Sequence, residues 1–408
     1  MRLLIGLLLF AALAAGDVAR LHELADTRQF FLLREALQQP GWNTADTLFY
    51  RGMVESRFGQ EPKGIADLIR FLASQPPPDR RRMAYEELAA ALVREGRYGE
   101  AGRNVTEALR LTLPDERTDN ANKQKLYAAL ADIPPQSVTF GENVPVRATF
   151  NDLGSWNVPV DVNGREGQWI LDTGANWSTL SAGEAERLGL EIRESDAFVG
   201  GSTGKRNALR LAVANDLRIG RAHLKHVIFL VLSDDSLFIS PLKYQIHGIL
   251  GLPVIRALRR VGIAANGDLR IEPGRAARGT PNLFFDGLSP ILEIRHDDRR
   301  MQMFLDTGAN ASLLYRSFRS ALTTDEIAGL TAREEQTGGA GEILVRRTEA
   351  VRTLRLFVSG RPTNLSDVSL LTTAPEGDAR YRDGVLGTDA LRSGFMLDFR
   401  AMQLRLDD

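Results

Sequence analysis

Residues 168–176 read Gln168-Trp169-Ile170-Leu171-Asp172-Thr173-Gly174-Ala175-Asn176. An apolar strand runs into a carboxylate, and a glycine two residues later lets the backbone turn sharply beside it. Further along, the chain reads Gln302-Met303-Phe304-Leu305-Asp306-Thr307-Gly308-Ala309-Asn310. The two passages share the string Leu-Asp-Thr-Gly-Ala-Asn. Counting back from each Asp without a gap, Val158 and Val160 of the stretch Trp156 to Gly164 align with Leu292 and Ile294 of the stretch Pro290 to Asp298. Each copy predicts a strand, a tight polar turn and a second strand that ends at the Asp. A second landmark recurs in step. Ile249-Leu250-Gly251 lies 79 residues after Asp172 (251 − 172), and Val385-Leu386-Gly387 lies 81 residues after Asp306 (387 − 306). Duplication of one β-rich unit is the economical explanation.

One carboxylate at the end of a buried strand is unremarkable. Two such units related by a pseudo-two-fold axis can bring both carboxylates together. Like charges about 3 Å apart do not both ionise easily, so such a pair shares a proton. One member is then a base and the other an acid at the same pH, which suits activating a water and protonating a leaving amine.

The doubled Asp-Thr-Gly-Ala string, each with its distal apolar-apolar-Gly partner, resembles the retropepsin-like aspartic proteases. The similarity spans roughly Val144 to Leu406 and points to an exported bacterial form with both halves in one chain. It implies Asp172 and Asp306 as the catalytic pair, the shared-proton arrangement being the established one of that family. It further implies that Thr173 and Thr307 interlock the two loops and that Gly174 and Gly308 allow the turn. Ala175 and Ala309 then complete the active-site loops, and the two distal strings pack behind them without doing chemistry. Pepsins carry Ser or Thr where Ala175 and Ala309 stand. Loss of that hydroxyl donor stabilises the charged form less, so activity is expected at mildly acidic to near-neutral pH. Asn176 and Asn310 are candidates to bond the substrate backbone or to close the turn. Gly-rich flaps are expected at residues 199–204 and 337–341, with Gly201 and Gly339 near the substrate. The family implies a polypeptide substrate, no cofactor and no metal.

The 408 residues carry a net charge of −1 with both signs mixed along the chain, so no basic surplus marks a nucleic-acid partner. The absence of cysteine excludes disulfides, a thiol nucleophile and cysteine-ligated zinc. Met1-Arg2 followed by the apolar run Leu3 to Ala15 reads as a signal peptide over 1–16. The expected localisation is periplasmic or extracellular, with an uncleaved N-terminal anchor as the other reading.

Residues 17–135 read as helical. Ala90 to Ala101 resembles the turn of a tetratricopeptide repeat, an Ala-rich helix meeting Gly96 with Tyr98 and Ala101 opening the next helix. A weaker echo runs from Leu48 to Leu72, and Pro76, Pro77 and Pro78 separate the two helix pairs. Such repeats bind a protein partner; a plain helical bundle that covers or steadies the next domain is the competing reading. The expected architecture is therefore α+β and multidomain. The repeat-like helical domain is followed by a pseudo-two-fold all-β protease with halves at 136–275 and 276–408.

Weaker signals are set aside on physical grounds. Gly200 to Gly204 fits a G-x-S-x-G pattern, but no helix follows it. His223 and His226 fall on opposite faces of a strand. Three functions compete: an active endopeptidase, a catalytically silent peptide-binding module, and an adaptor acting through the helical repeats.

Overall fold

A computed structural model describes residues 18–40, 42, 44–113, 118–200, 206–339 and 342–407. The expected signal peptide, Gly201 and the G-x-S-x-G serine lie outside the described residues. The chain divides into two compact units, Met1–Gln124 and Lys125–Asp408.

The first unit is helical. It contains α1 (Phe30–Leu37), α2 (Thr44–Arg57), α3 (Glu61–Ala73), α4 (Pro78–Arg94) and α5 (Tyr98–Leu111). Helix α4 starts on a proline, where the missing N–H costs nothing. The α2–α3 and α4–α5 turns close alike. Gly59 and Gly96 take φ of 76° and 70°, and the next residue's N–H reaches back five residues: Gln60 N to Glu55 O and Arg97 N to Leu92 O, both 2.8 Å. Two helix pairs with one turn chemistry result, at the places where the repeat pattern was read. No helix among the described residues is long and apolar enough to cross a membrane.

The second unit is dominated by β-structure, so the chain as a whole is α+β. Its strands beside the first Asp are β1 (Trp156–Val162), β2 (Arg165–Leu171), β3 (Ser178–Ser181), β4 (Arg193–Gly200), β5 (Arg206–Ala214), β6 (Val227–Leu232) and β7 (Gly248–Leu250). Those beside the second are β8 (Ser289–His296), β9 (Arg299–Leu305), β10 (Leu313–Leu314), β11 (Thr331–Gly339), β12 (Glu342–Val358), β13 (Arg361–Leu371) and β14 (Gly384–Leu386). The first set is ordered β1-β2-β7-β3-β6-β5-β4 and the second β8-β9-β14-β10-β13-β12-β11. Strand for strand, the two orders are the same.

Local chemistry explains the shared start. Strand β1 alternates buried and half-buried residues, with Val158, Val160 and Val162 turned into the core. Two-residue turns join Val162 to Arg165 and His296 to Arg299. Asn163 and Gly164 take φ of 53° and 75°, and Asp297 takes 49°, the left-handed backbone that tight hairpins demand. Strands from after the first set and from the chain's end share one further sheet: Arg260–Ala264 pairs antiparallel with Gly394–Asp398, extended by Asp268–Ile271 and Gln403–Leu406. This sheet is formed only when the chain's middle and its C-terminal end meet.

Candidate active site

Each Asp is delivered by a parallel pair of strands. Ile170 and Leu171 of β2 lie opposite Ile249 and Leu250 of β7. Phe304 and Leu305 of β9 lie opposite Val385 and Leu386 of β14. The ladder continues one residue into each loop, with Asp172 N donating to Leu250 O and Asp306 N to Leu386 O, both 3.0 Å. The distal strings, read from the sequence as support, thus hold the backbone of the two aspartates directly.

The loops then turn tightly around their own carboxylates. Asp172 Oδ1 accepts from Gly174 N (2.8 Å) and Ala175 N (3.1 Å). Asp306 Oδ1 accepts from Gly308 N (2.9 Å) and Ala309 N (3.1 Å). Oδ1 of each carboxyl is thereby fixed by two backbone donors of its own loop.

Two loops from distant parts of the chain meet here. Thr173 Oγ1 donates to Leu305 O and Thr307 Oγ1 donates to Leu171 O, each at 2.7 Å. In return each hydroxyl accepts the other threonine's N–H at 3.0 Å. Both threonines are fully buried, so these four bonds are made away from water. Glycine is required by the closeness of the carboxylates. A Cβ on Gly174 would lie 2.5 Å from Asp306 Oδ1, and one on Gly308 would lie 2.6 Å from Asp172 Oδ1. Each glycine makes room for the carboxyl of the opposite loop.

The electrostatics follow from that closeness. Burial pushes the Asp172 carboxyl well above the usual carboxylate range; the adjacent Asp306 charge and a hydrogen bond between the two side chains push it further, against the Gly174 and Ala175 donors. Burial also raises Asp306, opposed by the hydrogen bond from Asp172 and by the Gly308 and Ala309 donors. The pair therefore holds one proton over a range where isolated aspartates would both be ionised, a property of the pair rather than of either residue. Both residues are half-buried and not sealed, so solvent reaches them.

The other sequence-predicted residues fall into place unevenly. Asn176 and Asn310 are exposed at the ends of their loops. The Asn310 carbonyl accepts from Thr388 Oγ1 at 3.3 Å, a turn-closing contact. Gly339 ends β11 opposite Glu342 of β12, so it lies in a long hairpin. Hairpin β4–β5 is its counterpart in strand order.

Sequence reasoning overlooked a pair of serines. Ser178 Oγ accepts from Gly251 N, and Ser312 Oγ accepts from Gly387 N, both at 3.0 Å. They tie each Asp loop to its distal glycine. Both are buried, and both stand six residues after their Asp, a coincidence legible in the repeat but beyond the identical string. Tyr315 was also passed over. Its phenol is pushed up by burial and senses Arg382, Arg346 and Asp306.

A family model described as aspartyl protease matches residues 158–254. That span takes in the first Asp loop and its distal Ile249-Leu250-Gly251. Over that span the chain is similar to aspartyl proteases, a class that acts on polypeptides. No curated protein sequence matches the chain.

Proposed function

We propose that the protein is an aspartic endopeptidase in which Asp172 and Asp306 act as one catalytic pair. The two halves of the β-rich unit, 136–275 and 276–408, form a pseudo-two-fold protease of retropepsin type, and an extended peptide lies across the paired loops. A water held between the carboxyls loses a proton to the ionised member and attacks the scissile carbonyl. The protonated member gives its proton to the carbonyl oxygen; as the tetrahedral intermediate collapses, the carboxyl that took the water's proton passes it to the leaving amine, and a hydroxyl of the intermediate returns a proton to the other carboxyl. No covalent intermediate forms. The observation that carries this reading is the reciprocal threonine exchange, which sets each carboxyl against the opposite loop's glycine.

Thr173, Gly174, Ala175, Thr307, Gly308 and Ala309 position the pair, and Asn176, Asn310 and Gly339 line the substrate path. The helical region, with its two matched turns, is a tetratricopeptide-like module that recruits a protein partner or the substrate. Export is the setting proposed for this activity.

The test replaces each aspartate separately. Asp172→Asn and Asp306→Asn are each expected to abolish cleavage of a peptide library, because neither carboxyl performs both roles. Substantial turnover by either variant would refute the pair.

A further inference from the structure

The two flanks of the paired aspartates are lined differently. Ile170 and Phe304 each precede their Asp by two residues, so along each strand they share its face. Ile170 lies in an apolar cluster with Leu237 and Ile246, against which Tyr244 and Ile249 pack. Leu237, Tyr244 and Ile246 come from residues 233–247, the connection between β6 and β7. The corresponding connection, residues 372–383 between β13 and β14, is shorter and carries a different chemistry. Ile246 stands five residues before Gly251; five residues before Gly387 stands Arg382.

Arg382 places its guanidinium over the Phe304 ring, with Cζ 5.0 Å from the centroid. Its Nε is buried and has no hydrogen-bond acceptor. Its ion-pair partner, Asp286, is 3.6 Å from one terminal nitrogen, longer than the roughly 2.7–2.9 Å of a charge-assisted hydrogen bond. The neighbouring Asp383 carboxyl is committed elsewhere, accepting from Gln302 N at 2.8 Å and Ser317 Oγ at 3.0 Å. A largely buried guanidinium with an orphaned donor, stacked on Phe304 of the strand that leads to Asp306, invites a planar acceptor with two oxygens.

We propose that Arg382 is a carboxylate-recognising subsite on the Asp306 flank, opposite an apolar subsite formed by Tyr244 and Ile249 where they pack over the Ile170–Ile246 cluster. Resting on the endopeptidase reading, this makes the enzyme selective for peptides with an acidic residue on one side of the scissile bond and an apolar residue on the other. A chain-terminal carboxylate offers the same acceptor as an Asp or Glu side chain, and the test separates the two.

The experiment uses the full chain and an end-blocked peptide library in which Glu, Gln, Leu or Lys occupies each position flanking the cleaved bond. A parallel arm compares free and amidated C-termini. Cleavage is measured on the wild type, and binding is measured by fluorescence anisotropy on the Asp172→Asn variant. Glu is expected to exceed its isostere Gln by about tenfold or more, with the ratio shrinking as salt rises. Arg382→Ile, patterned on Ile246, should bring the Glu/Gln ratio to about one, and Arg382→Glu should turn the preference toward Lys. Preference confined to a free C-terminus would uphold the carboxylate site and assign its source. A Glu/Gln ratio near one for the wild type in both cleavage and binding, with no response to a free C-terminus, would overturn the proposal whatever the variants' folding. Cleavage without charge preference would sink this inference alone, whereas Glu-selective binding without any cleavage would sink the endopeptidase reading alone.

Discussion

Thr173→Val keeps the shape of a fully buried side chain and removes its hydroxyl. Two hydrogen bonds go with it: the one to Leu305 O (2.7 Å) and the one from Thr307 N (3.0 Å). Both abandoned partners stay buried, because the opposite loop has no water-facing alternative. A buried donor or acceptor left unmade costs about 1–3 kcal/mol, so the loss is about 2–6 kcal/mol. Folded domains are stable by only about 5–15 kcal/mol, so the effect is large enough to read by urea denaturation of the full chain. Activity should fall further than stability under folding conditions. The hydroxyl sets the relative position of two loops whose carboxyls must meet, and a misplacement of about 1 Å costs on the order of a hundredfold in rate. Thr173→Ser, which retains the hydroxyl, should recover most of both losses. Thr307→Val removes the other two bonds and should match Thr173→Val closely. A Thr173→Val protein within about 0.5 kcal/mol of wild type, with unchanged kcat/KM, would refute the claim that this exchange holds the site.

Two further outcomes are expected. Ser178→Ala and Ser312→Ala each leave a buried glycine N–H without its acceptor, so each should destabilise by about 1–3 kcal/mol in thermal or urea unfolding; a neutral result for both would remove their bracing role. The pH dependence follows from the raised carboxyls of Asp172 and Asp306. Their neutral forms are favoured more in the folded than in the unfolded chain, so their contribution to stability is complete below the ordinary carboxylate range and is lost as pH climbs through the raised values. Asp172→Asn should flatten that decline in a Tm-against-pH series, and wild-type cleavage should be bell-shaped, failing at high pH once the shared proton leaves. Parallel Tm curves for wild type and variant would contradict this.

Much of the site was legible in the linear chain because its chemistry is local and repeated. The string Leu-Asp-Thr-Gly-Ala-Asn encodes a strand end, a carboxylate and a turn within six residues, and in the structure the backbone donors that hold each carboxyl come from within that string. The hairpin at Asn163-Gly164 was likewise readable, since left-handed φ selects such residues. The division into helices and then strands followed from periodicity.

What the linear chain determined by itself was the inventory: two carboxylates in matched contexts, two distal glycine strings and a helical beginning. What only the tertiary structure decided was proximity. Hydrogen bonds between Thr173 and Leu305, or Thr307 and Leu171, join residues more than a hundred positions apart, and no local pattern encodes them. The raised carboxyls depend on the same meeting, since burial and a neighbouring charge are properties of the folded loops and not of Asp-Thr-Gly as a string. The difference between the flanks, Ile246 in an apolar cluster and Arg382 over Phe304, was present in the letters. Its surroundings, Ile170 on one side and Phe304 on the other, were fixed only by folding, because a charge has no function until its surroundings fix what it can reach.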